Sequence, residues 1–96
     1  MKIETIVVAT DFSEASHVAA PVARAHAARW GATLHLLFVS TSGDKEPPPE
    51  LAALADEVGA DVKVKMVVET GSPSDQILDY AQLSAIDLIV MGTHGR

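Results

Sequence analysis

Four short apolar runs, residues 6–9, 34–39, 62–69 and 86–91, alternate along the chain with three segments of helical character. This alternation constrains the fold more than any other feature. Parallel neighbouring strands need a crossover of a dozen or more residues, usually a helix, and such crossovers are right-handed. The order β-α-β-α-β-α-β therefore predicts an α/β fold, an open parallel sheet with helices on both faces. Ile6-Val7-Val8-Ala9 and Leu34-His35-Leu36-Leu37-Phe38-Val39 are nearly continuous in apolar character, as strands covered on both faces are. In the third run Val62, Val64, Met66 and Val68 alternate with Lys63, Lys65, Val67 and Glu69. One face is then apolar, and the lysines suit an exposed sheet edge.

The helical segments carry their own punctuation. Ser13 is placed to cap a helix with Glu14 in its first turn, and the alanine-rich stretch ends at Trp30-Gly31. Pro21 lies within it and is expected to kink it, since proline removes a backbone donor and crowds the preceding turn. Residues 41–49, with three consecutive prolines, form a connection before a short helix over 50–58 that Gly59 stops. Ser72-Pro73-Ser74-Asp75 resembles a capping box, opening a helix whose apolar face is Ile77, Leu78 and Ala81.

Composition narrows the function. With 96 residues, 48% of them hydrophobic and 21% charged, the chain forms one compact domain. The absence of cysteine excludes disulfides, zinc-thiolate sites and thiol nucleophiles. Thirteen acids against seven bases give a net charge of -6, which repels nucleic acid and anionic lipid. Two Phe, one Tyr and one Trp make no platform for stacking bases. No apolar run reaches the length of a membrane span, and the opening residues do not read as a signal peptide, so a cytoplasmic location is expected.

In an open parallel sheet, ligands gather outside the carboxyl ends of the strands. The candidate site is therefore Ala9-Thr10-Asp11, Val39-Ser40, Glu69-Thr70-Gly71 and Met91-Gly92-Thr93-His94-Gly95. Gly92 and Gly95 would let a tight turn bring amide groups to an anion, although Gly-x-x-Gly is also a common plain turn. Asp11 suits either a ligand or its own turn. Ser13, His94 and Asp11 do not make a convincing triad, because no nucleophile elbow precedes Ser13. His17, His26 and His35 lack metal-ligand spacing and read as satisfied or solvent-facing. A phosphoacceptor receiver, which shares the flavodoxin-like topology, would want an Asp where Glu69 stands.

The segments Ile6-Val7-Val8-Ala9-Thr10-Asp11-Phe12-Ser13, Leu36-Leu37-Phe38-Val39, Glu69-Thr70-Gly71-Ser72-Pro73 and Asp87-Leu88-Ile89-Val90-Met91-Gly92-Thr93-His94-Gly95-Arg96 together resemble a UspA-like domain of the universal stress protein family. The resemblance implies a Rossmann-like, adenine nucleotide alpha hydrolase-like sheet of order 3-2-1-4-5. It also implies ATP bound over the strand ends. Asp11 matches the acid contacting the nucleoside, Val39 the residue whose backbone lies along adenine, and Met91, Gly92 and Gly95 the start of the phosphate loop, with Ala9 and Thr10 lining the same crevice. Gly92-x2-Gly95 matches the first half of a loop that continues in the family with nine residues and Gly-Ser or Gly-Thr. The family then adds a long helix and a fifth strand, so residues 1–96 are expected to form a single, C-terminally incomplete domain. With no basic cradle, phosphate would rely on backbone amides, a helix N-terminus and a cation such as Mg2+. Two functions follow: a nucleotide-binding stress-response regulator, hydrolysing ATP slowly at most, or a nucleotide-free dimerisation module. A homo-oligomer is expected through the uncharged fourth strand.

Overall fold

The computed structural model describes residues 3–12, 14–59 and 62–91, with the side chains of Ala15, Ser16 and Pro73 left aside. Its elements are β1 (Thr5–Thr10), α1 (Glu14–Trp30), β2 (Thr33–Ser40), α2 (Pro49–Val58), β3 (Lys63–Thr70), α3 (Pro73–Leu83) and β4 (Leu88–Met91). All strand pairs are parallel, in the order β3-β2-β1-β4. This is the predicted α/β architecture, with β1 and β2 central.

Period-2 alternation divides the core between the two faces of the sheet. Ile6, Val8, Leu34 and Leu36 point to one face, where they meet Ala20, Ala23 and Ala27 of α1 and Leu51, Leu54 and Val58 of α2. Val7 and Leu37 point to the other and meet Ile77 of α3. Among the described residues the first cluster holds twelve buried side chains and the second three. At roughly 1.5–3 kcal/mol per buried large aliphatic side chain, most of the apolar stabilisation lies under α1 and α2. The alanines of α1 present no bulk beyond Cβ, which lets the helix lie close to the sheet.

Helix α1 is continuous across Pro21. The proline is exposed, as is His17 four residues earlier, so the carbonyl that loses its partner faces water and not the core. At the far end Gly31 has φ 65, and the Ala32 amide donates to the Ala27 carbonyl at 2.9 Å. That six-residue return is a Schellman motif. Helix α2 ends as expected at Gly59, whose amide donates to the Ala55 carbonyl at 2.8 Å.

Four local expectations are corrected. The capping box before α3 does not form: Ser72 is extended and makes no side-chain cap, its Oγ lying 3.4 Å from that of Ser74. Leu78 is 60% exposed, because α3 meets the sheet through Ile77 and Tyr80, about a quarter-turn or more from Leu78. Met66 is also exposed, while Val64 and Val68 on the same edge strand pack onto the core. The fourth strand begins at Leu88, not Ile86. The Ile86 amide still donates to the Ala81 carbonyl of α3, Ala85 has φ 51, and Asp87 Oδ2 accepts the amides of Glu4 and Thr5 at 2.9 and 3.0 Å. Residues 84–87 are thus a turn that latches the start of β1.

Candidate functional site

Because α1 and α2 cover one face and α3 the other, the chain changes direction between β1 and β4. That point, at the carboxyl ends of the strands, is where an open α/β sheet forms a crevice. Ala9 and Met91 are register partners across it. Val39 lies on the neighbouring strand β2, two residues beyond Leu37, the partner of Ala9. Alternation puts Ala9, Val39 and Met91 on the α3 face, where Ala9 and Val39 pack on the Val7-Leu37-Ile77 cluster and Met91 is 51% exposed. Gly92 and Gly95 lie outside the described residues, as do Ser13 and His94.

The other two predicted residues form the turn after β1. Thr10 is buried, and alternation turns its side chain to the opposite face. Its Oγ1 accepts the Phe12 amide at 3.1 Å. Asp11, exposed, is at the apex. Phe12 has φ 63, a conformation that costs an L residue about 1–2 kcal/mol. The Thr10 hydroxyl and a ring contact with Phe38, centroids 4.9 Å apart, offset that cost. No sequence pattern marks Phe12 and Phe38 as partners, since they are far apart in the chain.

Strands β2 and β3 are joined at the same end by the Gly71 amide, which donates to the Ser40 carbonyl at 3.2 Å. Gly71 has φ 126, and an added Cβ would lie 3.1 Å from Gln76 Nε2. Lower on the α3 face, His35 Nδ1 is 2.5 Å from the Tyr80 hydroxyl. This is the satisfied histidine expected of a strand position. Burial, followed by the charge of Lys65, lowers the His35 pKa. Burial raises that of Tyr80, a bond to Ser84 opposes the rise, and Glu69 adds to it.

Of Ala9, Thr10, Asp11, Val39 and Met91, Asp11 alone carries a carboxylate. Among the described residues no cluster of His, Cys, Asp or Glu could hold a metal ion. A separate cleft of about 240 Å³ between α3 and β3 contains Glu69 and Asp79, a poor setting for an anion.

A four-stranded parallel sheet whose chain reverses direction at a switch point is an open α/β fold of the kind that gathers ligands outside the carboxyl ends of its strands. The universal stress protein family model matches residues 2–96, and the chain belongs to that family. Protein Rv1636 from Mycobacterium tuberculosis H37Rv is similar at 25% identity and TM-score 0.83, covering 100% of this chain and 75% of its own. A universal stress protein in complex with cAMP is 23% identical with TM-score 0.74, over 93% of this chain and 71% of that one. A family member from Arabidopsis thaliana, At3g01520 with AMP bound, is 19% identical with TM-score 0.66, over 96% and 77% respectively. No curated protein sequence matches the chain significantly. Among the described residues no helix is long and apolar enough to cross a membrane.

Proposed function

We propose that this chain is a stress-response regulatory domain that binds an adenine nucleotide at the carboxyl ends of β1, β2 and β4, with ATP as its working ligand. The observation carrying the reading is the convergence at one switch point of apolar Ala9, Val39 and Met91 with the exposed Asp11. The apolar residues suit a flat base. The carboxylate suits ribose hydroxyls, which donate to it, and not phosphates, which repel it. Relatives crystallised with cAMP and AMP support the adenine class. The phosphates would fall to the Gly92–Gly95 segment, and a Mg2+ ion would take most of its ligands from phosphate and water, with Asp11 supplying one carboxylate at most. With Asp11 the one carboxylate among these residues, ATP acts as a conformational ligand and is hydrolysed slowly at most. The expected cytoplasmic location belongs to the same reading.

Isothermal titration of the chain with ATP, AMP and GTP tests it. The adenine nucleotides should bind, GTP should bind more weakly, and Asp11→Ala should weaken the adenine nucleotides. Unchanged affinity in that variant removes Asp11 from the site.

A second reading, a nucleotide-free dimerisation module, is favoured by the β4 edge. Ile89 and Met91 there are 37% and 51% exposed and uncharged, whereas the β3 edge carries Lys63 and Lys65. Self-association also accompanies the first reading. Sedimentation at micromolar concentration should show a homo-oligomer, and a monomer would end the module reading.

A further inference from the structure

The turn after β1 contains a side chain to which the nucleotide reading gives no role. Phe12 occupies the left-handed region at φ 63, which a bulky residue adopts only when its surroundings impose it. Its amide donates to Thr10 Oγ1 at 3.1 Å, and its ring lies against Phe38 with centroids 4.9 Å apart and planes tilted by 30°. Thr10 and Phe38 are themselves register partners on β1 and β2. Phe12 therefore folds back over a pair already fixed in the sheet, and it packs on the buried cluster beneath α1. Asp11 is the residue caught between Thr10 and Phe12.

We infer that Phe12 is a positioning residue: its left-handed turn, clamped over the Thr10–Phe38 pair, fixes the backbone of Asp11 and so the direction from which the carboxylate meets the nucleotide. The inference rests on the nucleotide reading above. Glycine would make the same turn at no steric cost but would leave it free to move. The ring and the amide bond together remove that freedom before any ligand arrives, and a contact arranged in advance loses less on binding.

Calorimetric titration of the full chain with AMP tests this through a double-mutant cycle. Phe12→Ala should weaken AMP by nearly the factor lost in Asp11→Ala, about tenfold, the order expected for a hydrogen bond to a charged group. The double variant should be within about twofold of either single one, because both remove the same contact. Phe12→Tyr, which keeps the ring, should bind as the wild type does. If Phe12→Ala does not retain the wild-type far-ultraviolet circular dichroism, Phe38→Leu takes its place in the cycle, removing the ring beneath Phe12 while keeping an apolar core residue. Losses that add in the double variant, or wild-type affinity in the Phe12 or Phe38 variant, overturn the inference and leave the nucleotide reading standing. No binding of AMP by the wild-type chain overturns both.

Discussion

Replacing Asp87 by alanine separates the hydrogen-bonding account of the β1/β4 junction from one based on apolar packing alone. Asp87 Oδ2 accepts the amides of Glu4 and Thr5 at 2.9 and 3.0 Å, and the Asp87 amide donates to the Thr5 carbonyl at 3.0 Å. The backbone bond survives substitution, whereas the two side-chain bonds do not. Bonds to a carboxylate rank among the stronger ones, but this junction is exposed and water can replace the lost acceptor. Each bond is therefore assigned the ordinary exposed value, and the pair contributes roughly 1–2 kcal/mol. For a domain of this size that corresponds to a fall in Tm of about 5–15 °C. Asp87→Asn keeps an acceptor oxygen and should lose less than half as much. Thermal unfolding followed by circular dichroism measures both variants. A Tm for Asp87→Ala within 2 °C of the wild type, on the order of measurement error against the expected shift, would refute the latch. Equal losses in the two variants would refute the acceptor role.

Two further outcomes are expected. The His35 pKa lies below the usual 6.5, chiefly through burial and secondarily through Lys65, so the unfolded chain binds more protons than the folded one just below that pH. The contribution is present above pH 6.5 and is lost as pH falls through the lower folded value; His35→Gln should flatten the change in urea-unfolding stability across that window, and an unchanged slope would place the dependence elsewhere. Gly31→Ala should cost about 1–2 kcal/mol in chemical denaturation through φ 65 alone, since an added Cβ meets nothing within 4 Å, and Gly31→Asn should cost less.

The alternation of strand and helix was legible because each element carries its own signal. The β-branched runs, the Ala face ending at Gly31 and the prolines before α2 act over a few residues and need no knowledge of the rest of the chain. Their right-handed connection also limits where a ligand crevice can form, which brings Ala9, Asp11, Val39 and Met91 to one end of the sheet; the family resemblance is what singled them out from the other strand-end residues. The errors occur where a local signal competes with another contact, near or far in the chain. Ser72-Pro73-Ser74-Asp75 has capping-box chemistry, yet Ser72 makes no side-chain cap and its hydroxyl lies 3.4 Å from that of Ser74. Leu78 fits an apolar helix stripe, but α3 reaches the sheet through Ile77 and Tyr80.

The sequence by itself determined the element types, the parallel sheet and the end of it at which a site can exist, because hydrophobic period and crossover handedness are short-range properties. Only the tertiary structure decided that Asp87 holds the start of β1, that His35 meets Tyr80 and that Phe12 closes over Thr10 and Phe38. The physical reason is range. Apart from the local Phe12–Thr10 bond, those contacts join residues far apart in the chain, and their partners are chosen by strand register and helix placement, which no local pattern encodes.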